Sequence, residues 1–198
     1  METTINSISK KIAYLNGQEC KQLPSAKTKI ALGQAIPKGK NMDLIIEKAT
    51  ELGVTQIYPI ISERTIIRLN EKESIKKQEK WQRVAIEACK QSGQNWLPKV
   101  NQPQKISSII ESTFKEFDLV LIASLQEGAE HFKSILSKIG NTNLESVLIV
   151  IGPEGDLTPS ETNKIIEAGA KPMTLGPITL RSETAAIYAI SIIAHELF

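Results

Sequence analysis

Runs of apolar residues recur along the chain at spacings that predict buried strands. Residues 28–36, 55–61, 118–124 and 146–151 are rich in Ile, Leu and Val, and a shorter strand is expected at 172–176. Several of these runs are apolar almost throughout, which is typical of strands buried on both faces. The pattern therefore predicts a parallel sheet whose two faces are both covered.

Helices are predicted between these strands. The first has an apolar face with helical spacing, formed by Met42, Ile45, Ile46, Ala49 and Leu52. Further helices are expected over 77–92, near 128–138, after the N-cap Thr158, and from about Ser182 onwards. The polar and basic residues 62–76 are expected to form a loop. This alternation of strands and helices indicates an α/β fold with a mostly parallel sheet and helices on both faces.

Ligands of open parallel sheets bind beyond the carboxyl ends of the strands. In this chain that rule selects the segments 122–125, 151–155 and 175–181. Residues 1–27, by contrast, are too few to bury a core of their own. The candidate chemistry is therefore expected in the second half of the chain.

The composition is that of an ordinary globular protein, with 198 residues, 41% of them apolar and 23% charged. No apolar run approaches the roughly 18 residues of a membrane span, and the N-terminus lacks the apolar core of a signal peptide. Cys20 and Cys89 form neither a disulfide framework nor a zinc pattern, and two histidines are too few for a histidine-rich metal site. We expect a cytoplasmic protein with reduced thiols and with no membrane or metal partner.

The net charge of +2 hides an asymmetry between the two halves. Residues 1–100 carry 17 Lys and Arg against 10 Asp and Glu, whereas residues 101–198 carry 7 against 12. A basic half is consistent with an anionic partner such as RNA, or with a solvated lysine surface.

The segment IGPEGDLTPSE (151–161) places Gly152 and Gly155 around a Pro-Glu pair directly after a strand. It matches neither the P-loop nor the dinucleotide-binding glycine pattern. The glycines are consistent with close approach of the backbone to a flat or bulky ligand. They are equally consistent with a tight turn before a capped helix.

A second segment, LGPITLRSETAAI (175–187), leads from a short strand into the last helix. Ser182 is expected to cap this helix, and Glu183 suits the positive end of its dipole. Arg181 has no such local role. An arginine between an apolar segment and a helix N-terminus can anchor a carboxylate or a phosphate.

Together the two segments resemble the signature of the RsmE family, bacterial 16S rRNA (uracil-N3)-methyltransferases of the SPOUT superfamily. Residues 39–65 and 80–98 resemble earlier family elements in the same order, so the resemblance covers about 28–198. It implies a methyltransferase domain over 28–198 whose C-terminal part is a deep trefoil knot. It also implies S-adenosyl-L-methionine as the cofactor and a homodimer in which the helix at 182–197 takes part. The implied substrate is a uridine of 16S rRNA within the 30S subunit.

The resemblance also assigns roles to individual residues. The implied cofactor-binding residues lie in the three strand-end loops: Ala123, Ser124, Leu125, Ile151, Gly152, Pro153, Glu154, Gly155, Leu175, Gly176, Leu180, Ser182, Thr184 and Ala185. Arg181 would stabilise the developing uracil anion, and Glu183 is the nearest candidate base in the sequence. The candidate RNA contacts are Arg64, Arg68, Lys90, Gln91 and Asn95.

The chain departs from the family pattern in three places. Family members usually begin with a PUA-like, OB-type β-barrel, so residues 1–27 are expected to be a remnant of that barrel or a disordered arm. Asp156 stands where the family usually has a second glycine, and Gln94-Asn95 stands where an arginine is usual. Two alternatives therefore remain open: a dimeric, cofactor-binding remnant without activity, and a SPOUT methylase that acts on tRNA.

Overall fold

The computed structural model describes residues 3–17, 24, 27–65, 69–140 and 144–198. The strands are β1 (Thr3–Ile8), β2 (Ala13–Gly17), β3 (Lys29–Ala35), β4 (Gln56–Ile61), β5 (Lys99–Val100), β6 (Gln104–Lys105), β7 (Leu119–Ala123), β8 (Ser146–Ile151) and β9 (Lys171–Met173). The helices are α1 (Asn41–Glu51), α2 (Glu71–Ser92), α3 (Ile106–Ser112), α4 (Phe132–Ile139), α5 (Pro159–Glu167) and α6 (Ser182–Leu197).

Seven of the strands form one sheet in the order β5-β4-β3-β8-β7-β9, and β6 also pairs with β4. Every pairing in this sheet is parallel. The central pair joins β3 to β8, so that Gln34 lies opposite Ile151. Neighbouring strands in the sheet thus come from distant parts of the sequence.

Apolar residues are buried on both faces of the sheet. One cluster packs side chains of α1, α2, α4 and α6 against the sheet, and the other packs those of α3 and α5. Parallel strands need both faces covered because their crossover connections put helices on each side. The predicted α/β fold with a mostly parallel sheet is confirmed. The trefoil knot stays a prediction.

Two helix starts show how local capping sets the boundaries. Thr158 accepts from the backbone N–H of Glu161, whose side chain accepts in return from Thr158, as the sequence predicts. Asn70 and Glu73 form the same reciprocal pair, so α2 begins at Glu71. The predicted loop over 62–76 is therefore wrong for its last six residues. The strand expected at 172–176 is shorter and begins one residue earlier, at Lys171.

The N-terminal segment forms an antiparallel hairpin of β1 and β2, and every residue of both strands is exposed. The segment KKIAYLNG (10–17) predicts one strand, which overlaps β2, whereas β1 was not predicted. Membership of this hairpin in a PUA-like domain stays a prediction.

Candidate functional site

The loops that follow β7, β8 and β9 surround one cleft at the carboxyl edge of the sheet. It encloses about 580 Å³ of empty space, part of it open to solvent. Its lining consists of Ala123, Ser124, Leu125, Ile151, Gly152, Pro153, Glu154, Asp156, Leu175, Ile178, Thr179, Leu180, Ser182 and Ala185. The lining is mainly apolar, with two carboxylates at Glu154 and Asp156.

Most residues that the sequence assigned to the cofactor lie in this lining. Gly155, Gly176 and Thr184 do not. The sequence did not assign Ile178, Thr179 or Asp156. The first two belong to the segment 175–181 that the strand-end rule selects, so the rule could have found them.

Gly152 is required by the crowding inside its own loop. A Cβ at this position would lie 2.8 Å from the Asp156 Oδ1 and 3.2 Å from the Leu157 backbone nitrogen. The Asp156 carboxylate is held there because its Oδ1 accepts from the Leu157 N–H at 2.8 Å. The glycine at 152 therefore makes room for the Asp156 side chain.

The left-handed backbone conformation in this loop is adopted by Asp156 and not by the neighbouring Gly155. Asp156 has φ of 61°, a left-handed conformation that glycine adopts most easily and that Asp tolerates. Gly155 has no left-handed φ, and a Cβ there would only meet the Arg64 Cδ at an ordinary 3.6 Å. The structure thus gives a conformational reason for the glycine that the family resemblance leads us to expect at position 156.

Two neighbouring loops hold the 152–161 segment in place. The Lys38 backbone N–H donates to the Glu154 Oε1 at 2.9 Å, and the Arg64 guanidinium donates to the Gly155 carbonyl. The Glu63 backbone N–H donates to the buried Glu161 carboxylate at 2.8 Å. The segment is therefore fixed from both sides by loops that follow β3 and β4.

Ser182 does not cap α6, contrary to the sequence prediction. Arg181 occupies the N-cap position, and no side chain caps the helix there. The buried Ser182 hydroxyl instead donates to the Gly152 carbonyl at 2.7 Å, and it accepts from the Gln34 Nε2 at 3.0 Å. Because a carbonyl of the cleft is in reach, the hydroxyl joins α6 to the β8 loop.

Arg181 and Glu183 both lie at the start of α6, next to the cleft. The Arg181 side chain is exposed and makes no hydrogen bond or ion pair with the described part of the chain. Glu183 is half-buried, and its Oε2 accepts from the Asn41 Nδ2 at 3.2 Å. Neither residue lines the cleft, but Ser182, which stands between them in the sequence, does.

The chain is similar in sequence to known methyltransferases over most of its length. The profile of the RNA methyltransferase domain family matches residues 24–194. Ribosomal RNA small subunit methyltransferase E of Bacillus subtilis is 34% identical over 182 residues, which are 90% of this chain and 69% of that protein. The protein of the same name from Aquifex aeolicus is 36% identical over 79% of this chain and 63% of its own length. The chain belongs to the ribosomal RNA small subunit methyltransferase E (RsmE) family.

Solved structures agree with this assignment. An RsmE from Neisseria gonorrhoeae, bound to S-adenosyl methionine, superimposes with a TM-score of 0.80 at 30% identity, covering 98% of this chain and 77% of that one. A putative methyltransferase from Legionella pneumophila, with the same bound cofactor, superimposes with a TM-score of 0.86 at 30% identity, covering 98% of this chain and 77% of that one. The predicted family is confirmed, and this chain spans between about 60% and 70% of the length of the two sequence relatives described above.

The structure does not bring this RsmE chain's candidate RNA contacts together. Arg64 donates to the Gly155 carbonyl beside the cleft, whereas Lys90 and Gln91 lie in the last turn of α2 and Asn95 follows that helix. The Nε2 of the neighbouring Gln94 would lie 3.7 Å from a Cβ at Gly53. Gly53 precedes the start of β4, so Lys90, Gln91 and Asn95 lie near the amino edge of the sheet, opposite to the cleft. Lys90 also pairs with Glu87 at 2.7 Å. Arg68 lies outside the described residues.

The described ranges lack two further kinds of feature. Among residues 3–17, 24, 27–65, 69–140 and 144–198, no helix is long and apolar enough to cross a membrane. The same residues contain no group of three or more His, Cys, Asp and Glu side chains arranged to hold a metal ion.

Proposed function

We propose that this RsmE-family chain transfers a methyl group from S-adenosyl-L-methionine to N3 of a uridine in 16S rRNA. The observation that carries the proposal is the cleft itself. It is formed by the three strand-end loops that the family resemblance assigns to the cofactor, in a chain that belongs to this family.

The residues of the cleft fit this cofactor. Leu125, Leu175 and Leu180 offer apolar surface for a flat purine ring. The carboxylates of Glu154 and Asp156 suit the hydroxyl groups and positive charge of a sulfonium nucleoside. When bound, the cofactor supplies an electrophilic methyl group.

Arg181 and Glu183 would then act on the uracil. N3 of uracil carries a weakly acidic proton that must leave before or during methyl transfer. Glu183 is positioned by Asn41 to accept that proton, which is general-base catalysis. Arg181 is free to stabilise the negative charge that develops on the uracil oxygens. Alignment within the cleft contributes as well, because a fixed geometry lowers the entropic part of the barrier.

We further propose that the chain acts as a homodimer on the 30S subunit in the cytoplasm. The exposed face of α6 includes Tyr188, 47% of which is accessible in the single chain. A large aromatic residue on a helix of such apolar composition is suited to an interface with a second copy. Sedimentation equilibrium tests this directly, and a monomeric mass at micromolar concentration would contradict it.

The deciding experiment is methyl transfer to 30S subunits from a strain that lacks the modification. Methylation at N3 blocks base pairing, so a modified uridine arrests reverse transcriptase. We expect an arrest in 16S rRNA that requires both the chain and S-adenosyl-L-methionine. Transfer to tRNA instead would show that tRNA, and not 16S rRNA, is the substrate. Cofactor binding without any transfer would support the non-catalytic alternative.

A matched pair of variants separates chemistry from general RNA affinity. Arg181→Ala should abolish the arrest while cofactor binding persists. Arg83→Ala removes an exposed arginine of α2, distant from the cleft, and should leave the arrest unchanged. Equal loss in both variants would refute the role of Arg181.

A further inference from the structure

Gln34 is a polar residue at an apolar position. It lies near the end of the central strand β3, between Ile151 of β8 and Pro59 of β4, and its side chain has no accessible surface. Its neighbours along the strand, Ala31, Leu32 and Ala35, are likewise fully buried and apolar. Pattern alone would place another aliphatic residue here.

The amide of Gln34 begins a chain of hydrogen bonds that ends in the cleft. Its Nε2 donates to its neighbour's carbonyl, Ala35 O, at 2.8 Å, and to the Ser182 Oγ at 3.0 Å. The Ser182 hydroxyl in turn donates a hydrogen bond to the Gly152 carbonyl at 2.7 Å. Three elements, β3, α6 and the β8 loop, are thereby joined at one point.

The other half of the Gln34 amide, its oxygen, is unpaired. The Gln34 Oε1 is buried and has no hydrogen-bond partner among the described residues. An unpaired buried oxygen opposes folding, and an aliphatic side chain of the same size would avoid that cost. An amide at this position is therefore better explained by the hydrogen bond from its nitrogen to Ser182 than by a contribution to the stability of the strand.

Gly152 needs an external restraint. Crowding by Asp156 excludes a Cβ at 152, and glycine has more backbone freedom than any other residue. The following residue, Pro153, has no N–H and cannot anchor the turn by donating. The Ser182 bond to the Gly152 carbonyl restricts this freedom. Gln34 in turn fixes the rotation of the Ser182 hydroxyl, which could otherwise donate elsewhere.

We propose that Gln34 is a positioning residue of the cofactor cleft, acting through Ser182 to hold the Gly152 backbone in its binding conformation. The inference rests on the proposed function, since it concerns affinity for the methyl donor. It concerns a residue that lies outside the cleft lining.

The test measures binding of S-adenosylhomocysteine by calorimetry, without any turnover. Gln34→Met keeps the length of the side chain and removes the amide, and Ser182→Ala removes the hydroxyl. We expect each to raise the Kd about tenfold, the effect of losing one buried hydrogen bond. The double variant should be no worse than either single one, because both break the same chain. Ser182→Thr keeps a hydroxyl and should restore most of the affinity.

Ser191→Ala is the matched control. It removes a second serine of α6, which is half-buried and whose hydroxyl donates to the Ile187 carbonyl at 2.8 Å, and this serine does not line the cleft. Its Kd should equal that of the unaltered chain. In the absence of ligand, hydrogen exchange at Gly152 and Leu157 should accelerate in Gln34→Met and not in the control.

The outcomes separate the inference from the proposed function. Unaltered affinity and exchange in Gln34→Met, or fully additive losses in the double variant, would overturn the inference alone. An unaltered chain that binds no S-adenosylhomocysteine would overturn both. Should Gln34→Met fail to fold, ligand-free hydrogen exchange at Gly152 in Ser182→Ala, compared with Ser182→Thr and Ser191→Ala, tests whether this hydroxyl restrains the Gly152 backbone; unaltered exchange in Ser182→Ala would overturn the inference.

Discussion

Gly152→Ala is the substitution whose outcome follows most directly from the geometry of the cleft. The new Cβ would stand 2.8 Å from the Asp156 Oδ1 and 3.2 Å from the Leu157 nitrogen, where favourable contacts begin at about 3.5 Å. The Asp156 side chain has to swing away. Its bond to the Leu157 N–H is then lost, and Leu157 is a buried residue.

The energetic cost can be built from these contacts. Leaving a buried N–H unpaired costs about 1–3 kcal/mol, and overpacking a tight site costs about 1–3 kcal/mol. The lower backbone freedom of alanine in the unfolded chain offsets about 0.4–1 kcal/mol. The net loss should be about 3 kcal/mol, or a fall in Tm of about 6–12 °C for a protein of this size.

Gly155→Ala is the matched comparison for Gly152→Ala. Its Cβ meets only the Arg64 Cδ at 3.6 Å, and its backbone is not left-handed. We therefore expect the opposite sign, a gain of up to about 1 kcal/mol from the unfolded state. Thermal unfolding followed by circular dichroism measures both variants, and calorimetry with S-adenosylhomocysteine measures the effect on the cleft.

A second substitution identifies the clashing atom. Asp156→Gly in the Gly152→Ala background removes the nearest oxygen and should recover about 1 kcal/mol. If Gly152→Ala melts at or above the Tm of the unaltered chain, or if both alanine variants lose the same stability, the account of crowding at Gly152 is wrong.

Three further predictions concern other groups. Asp156→Asn keeps an acceptor and tolerates the left-handed backbone, so its unfolding free energy should stay within about 0.5 kcal/mol, whereas Asp156→Ala should lose about 2 kcal/mol in urea denaturation. Glu183→Gln should lower kcat about 10²–10⁴-fold with little change in cofactor Kd, and a loss below tenfold would leave Glu183 a helix-dipole partner only. Burial, aided by the charge of Glu116, raises the pKa of Tyr58 to about 12. The protonated form is thus favoured in the folded chain, and this stabilisation holds below the unfolded pKa near 10 and is lost as the pH rises towards 12. Tyr58→Phe should remove that alkaline loss from the stability profile; a profile unchanged by the substitution would contradict it.

Those parts of the fold that depend on repeating patterns were predictable from the sequence. Apolar runs located β3, β4, β7 and β8, and the rule for parallel sheets located the cleft at their carboxyl ends. The start of α2 was not predictable in the same way. Asn70 and Glu73 form a capping box, but the first turns of this helix are lysine-rich and lack an apolar face.

The contacts that give the site its geometry were not predictable, because they join distant segments. Lys38 and Glu154 are 116 residues apart, and Arg64 and Gly155 are 91 apart. No local pattern encodes such pairs. Ser182 illustrates the same limit: its position at a helix start suggests a cap, yet its hydroxyl donates a hydrogen bond to a carbonyl 30 residues upstream.

The pairing of β3 with β8 also determines when the cleft can exist. Thr28, just before β3, donates its hydroxyl to the Leu144 carbonyl, just before β8, across 116 residues. A ribosome that adds about 5–20 residues per second leaves β3 without this neighbour for roughly 6–23 s after its synthesis. During that time Ile30 and Leu32, which are fully buried in the finished sheet, are not yet covered on the side where β8 will pair. We expect the nascent chain to need protection by chaperones in this interval, and the cofactor to bind only after synthesis of the last helix.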